Sequence, residues 1–165
     1  MNPPVEPRIA FRFTAEALAG TIYGFVTAMA VIAALADKAA DVFVMSGAAI
    51  GASLALALTY VYAHWLAGSY SKQPGHAGSR NAWRFELPTL IGPVLLSVVM
   101  IGEHLAGVDV VAAAESTMWI GTAILLVLGY RIAIYGGHSR RAAVGWGLLD
   151  ASIGASLVLV KVLVH

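Results

Sequence analysis

The chain has no cysteine. That excludes a disulfide framework, a thiolate metal centre and a nucleophilic thiol. Charge is scarce as well: 12% of the 165 residues are Asp, Glu, Lys or Arg, against about a quarter in an average soluble domain. Ten basic residues stand against nine acidic ones, with no Lys/Arg-rich tract, so nucleic acid is not an expected partner. The chain carries no Gly-rich nucleotide loop, no HExxH helix and no GxSxG elbow, and no residue marks a nucleophile. It is expected to have no enzymatic activity and no cofactor beyond a divalent cation.

What is abundant is apolar. The hydrophobic class makes up 59% of the chain, more than one packed domain of this length can hide from water. The expected solvent is a lipid bilayer, whose hydrocarbon core takes about 20 apolar residues per helix. Five runs qualify, over 13–36, 42–68, 86–106, 109–135 and 142–164. None shows the alternation of a transmembrane strand. The fold class is therefore all-α, one polytopic five-helix membrane domain over 1–165. The run from Phe13 flows directly into a second span, so it reads as a retained helix and not a cleaved signal.

Basic residues set the orientation. Arg8 and Arg12 precede the first span, Lys72, Arg80 and Arg84 lie between the second and third, and Arg131, Arg140 and Arg141 lie at or between the fourth and fifth. The other two connections hold only Lys38. The positive-inside rule places the N-terminus in the cytoplasm and the C-terminus outside, in a bacterial-type plasma membrane.

Ionisable residues inside such spans are costly and mark function or packing. Asp150, in "GWGLLDASIGAS", is the deepest; Gly147 and Gly154 on its own face let another helix approach it closely. Three readings stand: an ion pair with Arg131, an ion or proton site shared with Glu16 and His64, or a protonated, hydrogen-bonded Asp. Glu103, His104, Asp109 and Glu115 gather at the outer mouth, as a wet surface or as an entrance for cations. His64 is inner and His104 outer, which argues against a bis-histidine haem.

The first span places Glu16, Gly20, Tyr23, Gly24, Thr27 and Val31 on one stripe, and the second repeats Gly47, Gly51 and Ala55 at the same spacing. Both faces predict close helix contact, within a subunit or across a dimer. Pro88 and Pro93 are expected to bend the third span and free backbone carbonyls. Glu16, His64 and Asp150, with the hydroxyls of Tyr23, Thr27 and Tyr60, form the candidate pathway in the cytoplasmic half. Histidine is the side chain whose unperturbed pKa lies nearest neutrality, so transport through His64 would respond between about pH 5 and 8.

Two stretches, "GTIYGFVTAMAVIAALA" at 20–36 and "LTYVYAHWLAGSY" at 58–70, resemble the vacuolar iron transporter family. The resemblance implies five spans, a cytoplasmic N-terminus, a homodimer with its pathway between subunits and a divalent cation as cargo. Tyr23 stands where that family places a metal-binding Asp, and His64 where it places a Glu; a short basic loop replaces its acidic cytoplasmic helices. A metal set on this chain would rest on Glu16 and His64. The alternative function is that of a non-catalytic membrane subunit or assembly factor, with lipid and another membrane protein as partners, whose polar residues fix helix packing.

Overall fold

The computed structural model describes residues 15–36, 38, 41–70 and 86–164, and the side chains of 17–36, 38, 41–66 and 86–163 among them. The N-terminal arginines, the basic loop between the second and third spans and the Glu16 side chain lie outside these. Helix α1 covers Ala15–Ala36 and α2 covers Val42–Tyr70. A 3-10 turn at Leu87–Leu90 leads into α3 at Ile91–Leu105, followed by α4 at Val110–Tyr135 and α5 at Arg140–Val164. All five spans are long and apolar enough to cross a membrane, and no strand occurs among the described residues. The protein is an all-helical integral membrane protein.

Local chemistry sets the helix ends. Asp41 accepts a hydrogen bond from Phe43 N at 2.9 Å and Asp109 from Val111 N at 3.0 Å. Ser139 accepts one from Ala142 N at 3.3 Å. Each side chain thereby satisfies a first-turn donor that has no partner within its helix. The turns after α3 and α4 share one design. Gly107 and Gly137 take φ of 93° and 81°, and the next residue reaches back to close the helix, Val108 N to Glu103 O and His138 N to Ala133 O, both at 3.0 Å. A left-handed residue at this point strongly favours glycine.

Two span limits differ from expectation for physical reasons. The fifth helix begins at Arg140, because Ser139 caps it; Arg140 and Arg141 sit in its first turn, where the helix dipole disfavours them. The third span is broken. The 3-10 turn absorbs Pro88, and Pro93 falls in the first turn of α3, where N–H groups lack intrahelical partners anyway. Pro93 thus costs α3 no bond of its own, but leaves the Thr89 carbonyl, four residues back, without its α-helical donor.

Helix α1 is the hub and packs on all the other elements, while α2 lies on the α3 side and α5 chiefly on α4. Phe25, Met29, Ile32, Met45, Leu96, Met100, Met118 and Leu125 fill the core. Contacts fix the register. A methyl group built on Gly24 would overlap the Thr89 carbonyl oxygen, and one on Gly92 would stand 2.5 Å from Phe25 N. Both glycines are needed for α1 and the start of α3 to touch backbone to backbone. Further along, Met29, Leu96 and Gly121 meet, so α1 and α3 run parallel and α4 antiparallel to both. One end of the bundle carries the short connections 37–41 and 106–109; the other carries Arg131, Arg140 and Arg141 and is called the basic end below.

Candidate functional site

The α1–α3 interlock brings together three segments distant in sequence: "GTIYG" at 20–24, "YVYAH" at 60–64 and "ELP" at 86–88. Tyr23 on α1 and Tyr60 on α2 face each other with ring centroids 6.4 Å apart. One turn further along α2, His64 Nδ1 stands 3.0 Å from the Tyr60 carbonyl oxygen. A carbonyl only accepts, so Nδ1 carries the hydrogen and Nε2 is left to take up a proton or a ligand. Glu86, the residue that opens the 3-10 turn, is buried at the same end. Burial pushes its carboxyl above the ordinary glutamate value of 4.5, and the charge of His64 opposes that shift. Thr27 lies one turn beyond Tyr23, half-buried. The backbone of Glu16 belongs to the first turns of α1 at this end.

Asp150 is not part of this group. It lies on α5 with its carboxylate against Gly129 of α4, and a methyl on Gly129 would overlap that carboxylate. The inward stripe of α5 runs Ala143, Gly147, Asp150, Gly154, Val158, Lys161. Methyl groups on Gly147 and Gly154 would each stand 2.7 Å from α4, at Leu126 O and Thr122 Oγ1. The carboxylate therefore sits in a closely packed helix–helix seam.

The expected ion pair between Arg131 and Asp150 is not formed. Arg131 is exposed, with its guanidinium carbon 5.8 Å from the centroid of the Tyr135 ring. The reason is rotation about α4: Gly129, the residue that meets Asp150, is two positions earlier, and residues i and i+2 do not share a helix face. Among the described residues the ion pair is instead Lys161 Nζ to Glu115 Oε1 at 3.2 Å, with the lysine side chain 6% exposed and the glutamate 54%.

At the end opposite the basic one, Glu103, His104, Asp109 and Glu115 do gather, and each has a partner within the protein. Glu103 accepts a short hydrogen bond from Ser116, His104 Nδ1 stands 3.3 Å from Val108 O, Asp109 caps α4 and Glu115 holds Lys161. Among the described residues no three His, Asp or Glu side chains converge as a metal site.

Glu86 was within reach of the sequence. It is a carboxylate directly before Leu-Pro at the start of a span, and its burial follows once Gly24 and Gly92 draw the 3-10 turn onto α1. The role of Gly129 had no sequence signal, because it depends on which face of α4 meets Asp150.

No family model, no curated protein and no solved structure matches this chain.

Proposed function

We propose that this protein is a small membrane transporter or channel-like protein that moves protons or a cation through a polar site built of Glu86, His64, Tyr23 and Tyr60, with Glu16 and Thr27 alongside. The observation that carries this reading is the buried Glu86 carboxylate in electrostatic reach of a histidine whose Nε2 has no partner among the described residues. The two side chains are not in hydrogen-bond or ion-pair contact, so a proton passing between them needs a bridging water and a shared cation needs one of them to move. The basic end is the cytoplasmic end by the positive-inside rule, in a plasma membrane of bacterial type, and the site lies in the cytoplasmic half. Gly47 and Gly51 have no protein atom within 4 Å of where a Cβ would stand. That open face of α2 suits a second copy of the chain in a homodimer. The resemblance to vacuolar iron transporters fits this reading, with the Tyr23 and His64 replacements favouring protons over iron.

The test is flux into proteoliposomes for protons, monovalent and divalent cations, comparing wild type with Glu86→Gln and His64→Ala. Flux lost in both variants, each still folded, supports the reading; no flux of any ion in wild type refutes it. A second reading has its own observation. Asp150 in the Gly129 seam and the paired residues at the opposite end all serve helix contact, as expected of a membrane subunit or assembly factor. It predicts that Asp150→Asn lowers stability and leaves any flux unchanged.

A further inference from the structure

Hydroxyl side chains in a membrane helix ordinarily bond back to a carbonyl three or four residues earlier. Thr21, Thr59, Ser116, Thr122, Ser152 and Ser156 do so here. Four others do not. Ser46 and Ser53 on α2, Ser97 on α3 and Thr117 on α4 are each at most 4% exposed, and their oxygens have no hydrogen-bond partner among the described residues. An unsatisfied buried hydroxyl is costly, and four on one small bundle call for a common explanation.

Their positions supply one. Thr117 is one helical turn from Gly121, on the same stripe of α4, and Ser97 follows Leu96 on α3; Gly121, Leu96 and Met29 meet where α1, α3 and α4 join. Ser97 lies eight residues from the end of α3, about 12 Å, and Thr117 seven residues from the start of α4, about 10 Å. Ser46 and Ser53 lie separately, at about 6 and 16 Å along the inward stripe of α2, which packs on α1 and α3. The Glu103–Ser116 hydrogen bond closes the α3–α4 interface above Ser97 and Thr117.

We propose that Ser46, Ser53, Ser97 and Thr117 bind internal water, and that the hydrated α3–α4 interface at Ser97 and Thr117 is the proton-carrying part of the pathway in the half of the bundle opposite Glu86 and His64. None of the four side chains is charged, so the resting occupant is neutral water. Buried waters occur at about one per 27 residues and make about three hydrogen bonds each, so about six are expected in a chain of this length. The hydration stands on the four hydroxyls alone; its role in carrying protons rests on the transport reading above.

Three methionines are built-in reporters. Met45 adjoins Ser46, Met118 adjoins Thr117, and Met100 is one turn from Ser97; all three are fully buried. The experiment is X-ray radiolytic hydroxyl-radical labelling of the full chain in lipid nanodiscs, read by mass spectrometry, in wild type and in a Ser97→Ala/Thr117→Val variant. The expected result is clear modification of Met45, Met100 and Met118 in wild type, falling at least about three-fold at Met100 and Met118 in the variant. Labelling no greater than in an unirradiated sample, or labelling that the double substitution leaves unchanged, overturns the proposal. Wild-type labelling decides the first point even if the variant fails to fold. Proton flux measured on the same preparations separates the two readings. Absent labelling with flux present removes the water seam and leaves the transport reading; labelling present with no flux in wild type removes the transport reading and leaves the water.

Discussion

Replacing Gly24 by alanine tests whether the α1–α3 interlock holds the bundle together. The added methyl would lie 2.8 Å from the Thr89 carbonyl carbon and overlap the oxygen bonded to it. Carbon atoms in good contact stand about 3.5–4.0 Å apart, so the two backbones must separate by about 0.7 Å or more. Neither can yield alone. Thr89 belongs to a 3-10 turn packed on both α1 and α2, and Gly92, one turn later, is equally tight against Phe25. Overpacking of this kind costs about 1–3 kcal/mol, and contact of backbone with backbone puts it near the upper figure. Alanine returns about 1 kcal/mol in helix propensity. The net expectation is a loss of about 2 kcal/mol, which for a chain of this size lowers Tm by about 4–8 °C. The control is Gly145→Ala, at a glycine with no atom within 4 Å of the new methyl, which should keep the propensity gain and be unchanged or more stable. Thermal unfolding in one detergent, followed by the monodisperse fraction on size exclusion, reads both variants. Gly24→Ala as stable as wild type, or Gly145→Ala as damaged as Gly24→Ala, would refute the reasoning.

The folded pKa of Glu86 lies above its unfolded value, so the stability it lends is fully present below about pH 4.5 and is lost as pH rises through the folded value. Wild type should lose stability relative to Glu86→Gln over that rise, and parallel pH–Tm curves would rule this out. Gly129→Ala displaces the Asp150 carboxylate and should cost about 1–3 kcal/mol, with most of the loss absent when Asp150→Ala is added; simple additivity in the double-mutant cycle would show that the two do not touch. Glu115→Gln leaves a buried ammonium without its counter-ion, so it should destabilise more than Lys161→Met, which leaves a half-exposed carboxylate that water can reach; the reverse order in chemical denaturation would disprove the pairing. If the proposed homodimer forms through α2, Gly47→Leu/Gly51→Leu should reduce the dimer fraction in cross-linking without lowering monomer stability; no dimer in wild type, or an unchanged dimer fraction, would remove that interface.

The five spans were legible because long apolar runs report the solvent directly, and the small-residue spacing in the first span correctly marked Gly24 as a contact. The same spacing in the second span marked Gly47 and Gly51, yet these face outward: spacing shows that a helix can be approached closely, not what approaches it. Asp150 shows a similar limit. Its glycine neighbours indicated that it points into the bundle, but its partner was set by the rotation of α4, where Gly129 and Arg131 face different ways. Grouping Asp150 with His64 by depth alone failed for the same reason, since depth along the membrane normal leaves the in-plane position open. The 3-10 turn that buries Glu86 follows from Pro88 and Pro93 acting with Gly24 on another helix, a conjunction that no single segment carries.

The α4–α5 seam also bears on how the chain enters the membrane. An aspartate near the middle of a lone span costs about 2.5–3.5 kcal/mol on insertion, and α5 carries Lys161 besides. Both side chains meet α4, Asp150 at the Gly129 notch and Lys161 at Glu115, across a connection of only four residues. Helix α5 therefore has its polar partners waiting on the span synthesised just before it. The last two helices would leave the translocon as one hairpin, and a chain truncated after Tyr135 would expose to lipid the notches that α5 normally fills.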